Sequence, residues 1–523
     1  MEMLKKERLV VIGNGMAGAR FVEELVARGG AEMYDIVMFG EEPHGNYNRI
    51  LLSSVLAGCH KPEDTLINEL SWYEEQGIKL YSGVKAGWID RMGASVYAAG
   101  GISESYDKLV IATGSTPFLP PIGNMYDEDG FMRDGVFSFR TLEDCQAMID
   151  HAASARRVVV VGGGLLGLEA ARGLLERGLE VHIAHLGDYL MNSQLDAPAG
   201  AMLKQTLEGL GLNIHLDKLA ESITPPFAGA PVGGLKFKDG EELECDMIVV
   251  AAGVRPNIDL AKQSGLHVQH GIVVQDDLSC RNDRNVYAIG ECAQHRGKLF
   301  GLVAPLWEQA RILAEQLSGE NPEASFRGVR VSTKLKVLGV DLAVMGDKDL
   351  QTDEDEQVHY SEPARGVYKK LIIRNGRLAG AILLGDGLTT PGVLQAFDRS
   401  ELLPDNRASL LFPGTGGAAQ IDVADLPETA QVCNCNGVTK GRIIQACQDG
   451  NGTLEAVCKA TRAGTGCGAC KPQVKAIVTF EANQAASQAA TVISVIGGKK
   501  VAFPAIADEA PARTPENVAV GRS

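Results

Sequence analysis

The sequence predicts an α/β chain of several parts. Two strand–helix–strand units of the parallel-sheet kind come first, then an α+β segment, then a small helical module near the C-terminus. Three observations carry this reading. The pattern G-x-G-x-x-G occurs twice, each time between an apolar strand and a helix. Three further apolar strands stop at small residues. Four cysteines fall as C-x-C and C-x-x-C near the C-terminal end. The 523 residues exceed the ~250–300 at which single cores stop growing, so several domains are expected.

The first unit reads LVVIGNGMAGARFVEELVARG, with Gly13, Gly15 and Gly18 in the pattern and Met16 and Ala17 opening the helix. Gly13 permits the tight turn, Gly15 lets the backbone approach a pyrophosphate, and Gly18 lets helix pack on strand. The next strand, DIVMFGEE, ends at Glu41, the residue type that hydrogen-bonds an adenosine ribose. The second unit, RVVVVGGGLLGLEAARGLLERGLEVHIAHL, repeats the register with Gly162, Gly164 and Gly167. Leu165, Leu166 and Glu169 lie in its first helical turns. One such match is weak evidence for dinucleotide binding; two, each with strand, glycines, helix and strand, make it the expected function. The strand of YDKLVIATGSTP ends at Thr113-Gly114, that of CDMIVVAAGVRPN at Gly253, and that of NVYAIGECAQ at Gly290-Glu291. Strands ending this way put backbone amides at the carboxyl edge of a parallel sheet, where ligands bind.

In this order the pieces resemble the two-dinucleotide-binding-domain flavoproteins, such as rubredoxin and ferredoxin reductases, over residues 8 to 322. The resemblance implies FAD on the first motif and NAD(P)H on a second motif inserted into the first domain, with hydride transfer carried by the cofactors. It implies an FAD-binding domain at 1–120 and 253–322 and an NAD(P)H-binding domain at 121–252. The family returns a Gly-Asp to the FAD ribityl chain; Glu291 stands in that Asp position. The stretch EEPHGNYNRILLS is similar to the family's segment under the flavin and places Arg49 and Ser53 near FAD. Where the family often has a lysine next, this chain has Ser54. Nicotinamide choice stays open: the second inner strand leads to His185, with Asp188 beyond it, rather than to an acidic residue or an arginine.

Glutathione-reductase-like relatives carry a C-x4-C pair beside the flavin, and this sequence has none. Cys59, Cys145, Cys245, Cys280 and Cys292 stand alone and read as small packed residues. Electrons leaving a flavin need another exit.

Cys433, Cys435, Cys467 and Cys470 supply one. Zinc is a competitor for four thiolates, but structural zinc sites favour C-x2–4-C in both halves, and a leading C-x-C is unusual for them. GTGCGACKP surrounds Cys467 with glycines whose N–H groups are free to point at sulfur, which suits bridging sulfides. Residues 431 to 482 carry six basic residues against three acidic ones, in a chain of net charge −16. Local positive charge stabilises a net-negative cluster. The spacing resembles the bacterioferritin-associated-ferredoxin-like domain, which implies a [2Fe–2S] cluster on the four cysteines, within residues 431–482. Cys447 and Cys458 read as packing residues in the helices between.

Residues 323–400 read as a strand-rich unit, with a hairpin signal in IIRNGRLAGAILL. They resemble the flavoprotein family's interface domain, which implies a possible homodimer. Residues 401–430 read as a linker, and 483–523 as a disordered tail. The acidic balance argues against nucleic-acid binding. No apolar run reaches the ~20 residues needed to cross a bilayer, and none of signal-peptide length leads the chain, so a cytoplasmic protein is expected. A flavoprotein fused to such a cluster domain resembles the front half of assimilatory NAD(P)H nitrite reductases and the electron-transfer subunits of assimilatory nitrate reductases. No cysteine follows Cys470, so the sirohaem half of the former is not expected here. The implied partner is a separate nitrate or nitrite reductase catalytic subunit. Another redox-protein acceptor, or a redox-responsive binding module, are the alternatives.

Overall fold

Leu9, Val10 and Val11 are fully buried in the strand Glu7–Ile12. A run buried on both faces suits the interior of a parallel sheet. In the computed structural model, which describes residues 6–225, 231–337, 339–412, 423–433, 435–466, 468 and 470–496, this strand lies inside a nine-stranded sheet. It pairs in parallel with Tyr34–Gly40 on one side and Lys108–Ile111 on the other. Asp283–Ala288 then joins Lys108–Ile111, also in parallel, although residues 112–282 lie between them in the chain.

Part of that intervening chain builds a second sheet of five parallel strands. Their order is Val136–Ser138, Met247–Val250, Arg157–Val161, Glu180–Ala184 and Asn213–His215. The outgoing strand Ser115–Pro117 pairs antiparallel with the returning strand Val254–Pro256. The second sheet is therefore inserted into the first at one stitched crossover.

A third, antiparallel sheet of five strands follows, with the helix Thr390–Arg399 packed on it through Val393, Leu394 and Phe397. Its strands Val367–Arg374 and Arg377–Leu384 meet through Asn375 (φ 52°) and Gly376 (φ 68°). Both are left-handed, as the tight Asn-Gly hairpin requires. The last unit pairs Gln431–Cys433 with Val438–Thr439 and adds helices Lys440–Gln448, Leu454–Thr461 and Lys471–Ile496. Thr439 and Thr453 cap the first two helices by accepting from the Arg442 and Ala456 N–H groups. Val432, Ile443, Val457, Val474 and Ile477 fill the space between them.

Two stretches differ from the sequence reading. Residues 401–412 are not a free connector: Leu403 and Leu411 are buried beside Val393 and Phe397, and Lys369 Nζ donates to the Leu411 carbonyl at 2.7 Å. A helix with an apolar face still open recruits the leucines that follow it. Residues 413–422 of the expected linker lie outside the described residues. From 483 the chain is helical as far as Ile496, where ANQAASQAA supplies good helix formers in place of the expected disorder. The rest of the expected tail, 497–523, lies outside the described residues. Among the described residues, no helix is long and apolar enough to cross a membrane.

Candidate functional site

The two glycine turns repeat one geometry. Gly13 has φ +115° and Gly162 φ +122°, and a Cβ on either would overlap a carbonyl of the neighbouring strand, Ala112 or Ala251. A Cβ on Gly18 or Gly167 would overlap the carbonyl of Gly13 or Gly162, so helix and turn are in backbone contact. Gly15 and Gly164 behave differently. No atom lies within 4 Å of a Cβ built on either. Each is the N-cap of its helix, Met16–Ala27 or Leu165–Glu176, with no side-chain cap and no acidic residue in the first turn. The bare N–H groups and the positive helix end therefore face open space, which fits an anionic pyrophosphate.

The space before Gly15 belongs to a cleft of about 1740 Å³. Gly13, Gly15, Met16, Ala17, Glu41, Arg49, Ser53, Thr113, Gly114, Gly290 and Glu291 line it from the first unit. Leu165, Leu166 and Glu169 line it from the inserted unit, and Cys435, Gly464, Gly466 and Gly468 from the cysteine module. The volume exceeds the ~300–1,000 Å³ of a one-ligand pocket, as two dinucleotides sharing a site would need. Gly18, Gly162, Gly164, Gly167, His185 and Gly253 do not line it, although the space in front of Gly164 and Gly253 is open.

A polar network crosses the cleft between the first and inserted units. Glu291 Oε2 accepts from Ser115 Oγ and from Arg140 Nη2, each at 2.5 Å. Arg49 Nη1 donates to the Arg140 carbonyl at 2.8 Å, and Arg49 is paired with Glu42. Glu42 also accepts from the Tyr47 hydroxyl at 2.5 Å. Burial works against the Arg49 charge, but Tyr47 and Glu42 outweigh it and its pKa is raised. Burial likewise pushes the Tyr47 phenol up. Arg49 thus stays cationic on the wall where an anionic or electron-rich group would lie. Glu41 is exposed and pairs with Lys85 at 2.7 Å.

Arg140 and Glu42 were not singled out in the sequence. Arg140 carries one usable signal: it directly precedes Thr141 and Asp144, a capping box at the head of the helix Leu142–Ala152. His185 does not reach the cleft wall. Its Nδ1 accepts the Gly163 N–H at 3.1 Å, which props the second glycine turn from behind. Burial lowers its pKa, so the imidazole is neutral near neutral pH. The left-handed Gly253 (φ +111°) sits at the stitched crossover, where its carbonyl accepts from the Phe118 N–H at 2.8 Å.

Cys433 and Cys470 are buried and Cys435 half-buried, in one apolar cluster with Val438, Cys458 and Ala463. Cys467 lies outside the described residues; among the rest, no three His, Cys, Asp or Glu side chains form a metal-holding group. The loops nonetheless converge. A Cβ on Gly466 would stand 2.8 Å from Cys435 Cβ, so Gly466 lies directly against Cys435. Soft thiols on two abutting loops beside glycine amides are a donor set that fits an iron–sulfur cluster. Outside the module, Cys145, Cys245, Cys280 and Cys292 are buried. Cys292 is fully buried and donates to the Ile111 and Ile289 carbonyls, and burial raises its thiol pKa. Burial pushes Cys145 and Cys245 up to about 12. Cys59 alone is exposed, with Glu176 as its partner at 3.8 Å.

Fold and cleft define a two-nucleotide flavoprotein reductase with an iron–sulfur module attached. The chain belongs to the pyridine nucleotide-disulphide oxidoreductase family, which matches residues 7–311 and implies FAD and NAD(P)H. The rubredoxin NAD+ reductase C-terminal domain matches 332–400, and the BFD-like [2Fe-2S] binding domain matches 431–479 and implies the cluster. Over 475 residues the chain is 39% identical to nitrite reductase [NAD(P)H] of Bacillus subtilis, covering 90% of this chain and 57% of that one. Over 485 residues it is 40% identical to the assimilatory nitrate reductase electron transfer subunit of the same organism, covering 92% and 60%. The chain thus spans somewhat more than half the length of these relatives. Over 77% of its length the chain is similar in fold to a chain of the covalent putidaredoxin reductase–putidaredoxin complex, with a TM-score of 0.69 at 22% identity and 95% of that chain covered.

Proposed function

We propose that this chain takes electrons from NAD(P)H and delivers them, through FAD and a [2Fe–2S] cluster, to the catalytic polypeptide of a nitrate or nitrite reductase in the cytoplasm. The observation that carries this reading is the single cleft shared by Gly15, by Leu165 and Leu166, and by Cys435. FAD held there supplies the conversion of a two-electron hydride donor to a one-electron acceptor.

Each wall has a distinct task. The N-terminal turns after Gly15 and Gly164 hold the two pyrophosphates, and Glu41 holds the ribose on the first. Arg49 and the Glu291–Ser115–Arg140 group orient the ring-bearing half of FAD, with Ser53, Thr113, Gly114 and Gly290 shaping the wall around it. Glu169 lines the NAD(P)H side, and Gly253 shapes the return crossover. Cys433, Cys435, Cys467 and Cys470 hold the cluster. Residues 323–400 serve as a docking or homodimer face.

Purified protein should contain both FAD and iron, and NAD(P)H should drive reduction of a matched nitrate or nitrite reductase. Turnover with ferricyanide or a rubredoxin but none with that reductase would assign a different acceptor. Reduction without sustained NAD(P)H oxidation in the presence of any acceptor would assign a redox-responsive binding module.

A further inference from the structure

The cysteine module meets the first nucleotide unit along a polar seam. Arg462 Nη1 pairs with Glu23 Oε1 at 3.0 Å, and Arg462 Nη2 donates to the Ile67 carbonyl and to Asn68 Oδ1, each at 3.4 Å. Glu23 Oε1 also accepts from Asn68 Nδ2 at 2.8 Å, so the acceptor is fixed from its own side. A second contact lies nearby. Trp307, on the helix Val303–Leu317, donates its indole N–H to the Cys435 carbonyl at 3.2 Å. Gly437 (φ +63°) lies so close beneath the indole that a Cβ would stand 2.9 Å from Cδ1. A cavity of only about 30 Å³ separates the two contacts.

The backbone of Arg462 adds an independent observation. At φ +62° it caps the helix Leu454–Thr461 in the left-handed region, where glycine or asparagine is the usual occupant. Arginine keeps the strained backbone there, and its side chain is the group that crosses the seam. In the same module Cys435 and Gly466 line the cleft, and Gly466 lies beside Asn48 of the first unit.

We propose that the Arg462–Glu23 clamp and the Trp307–Cys435 contact form a latch that seats the cysteine module with its Cys435 edge on the cleft. The inference rests on the electron-transfer reading above: the latch residues are positioning residues that set how fast electrons reach the iron. They bind neither nucleotide.

Arg462→Gly tests this directly, because glycine suits the left-handed cap and removes only the clamp. Glu23→Arg and the double variant Glu23→Arg/Arg462→Glu complete the set, each studied as the full chain loaded with FAD and iron. Two readouts are needed: hydrogen exchange at 66–68 and 462–466, the two faces of the seam, and the rate of cluster reduction by NADH, followed by freeze-quench electron paramagnetic resonance. The latch predicts faster exchange on both faces and about tenfold slower cluster reduction in each single variant, the size of a lost charge-assisted bond. Flavin bleaching should keep its rate, and the charge-swapped double should recover both readouts. Unchanged exchange and unchanged cluster reduction in Arg462→Gly would overturn the latch. A wild-type cluster that NADH and NADPH leave oxidised would overturn the electron-transfer reading, and with it the role given to the clamp, even if the exchange data showed the swap.

Discussion

Gly13 and Gly15 lie two residues apart and answer to different constraints. At Gly13 the backbone is left-handed and a Cβ would strike the Ala112 carbonyl. Gly13→Ala is expected to cost at least about 2 kcal/mol in urea unfolding of the apoprotein. At Gly15 the backbone is ordinary (φ −76°) and the space in front is open. Gly15→Ala should change apoprotein stability by less than about 1 kcal/mol yet lower FAD retention on gel filtration, because its methyl would fill the approach to the pyrophosphate. His185 makes a pH-dependent contribution. Its folded pKa lies below the ~6.5 of the unfolded side chain, so between those values the unfolded chain binds the extra proton. The contribution is whole above ~6.5 and is lost as pH falls through the folded value. His185→Ala should flatten the loss of unfolding midpoint as pH falls below ~6.5. Both glycine motifs were legible because backbone geometry dictates residue type there. Arg140 was not: its partners Glu291 and Arg49 come from segments that only the folded chain brings together.

Among elements, the buried strand Val367–Arg374 shows where residue patterns mislead. It contains Lys369 and Lys370, both nearly inaccessible. Lys370 Nζ donates to Asp196 Oδ2 at 2.8 Å, and the Tyr368 hydroxyl donates to the same oxygen at 2.8 Å. Asp196 also caps the helix Ala197–Gly209 of the inserted unit through the Ala199 N–H. One carboxylate therefore joins the inserted sheet to the third sheet. Removing it leaves a buried ammonium unpaired. Asp196→Ala should cost about 3 kcal/mol or more, read as a lowered denaturation midpoint. The parallel strands and the Asn-Gly hairpin could be read from periodicity and turn chemistry, which are local, and the helical cysteine module from the resemblance its cysteine spacing carries. The antiparallel crossover of Ser115–Pro117 with Val254–Pro256 could not, since its two strands are short and distant in sequence. The same applies to Leu403 and Leu411, whose apolar character shows but whose burial depends on the face left open by Val393 and Phe397.

For the molecule as a whole, the proposed electron flow runs one way, from the nicotinamide side of a shared cleft to iron at its Cys435 edge. Cys435→Ser separates the two ends. The variant should keep FAD and bleach normally with NAD(P)H, because Gly15, Gly164 and the Arg49 network remain intact. The most direct test adds NAD(P)H anaerobically to wild type and to Cys435→Ser, then records flavin absorbance, the reduced-cluster resonance signal and transfer to a matched reductase. Bleaching is expected in both proteins, with the resonance signal and the transfer in wild type only. Transfer at the wild-type rate from a Cys435→Ser protein that shows no cluster signal would contradict this flow.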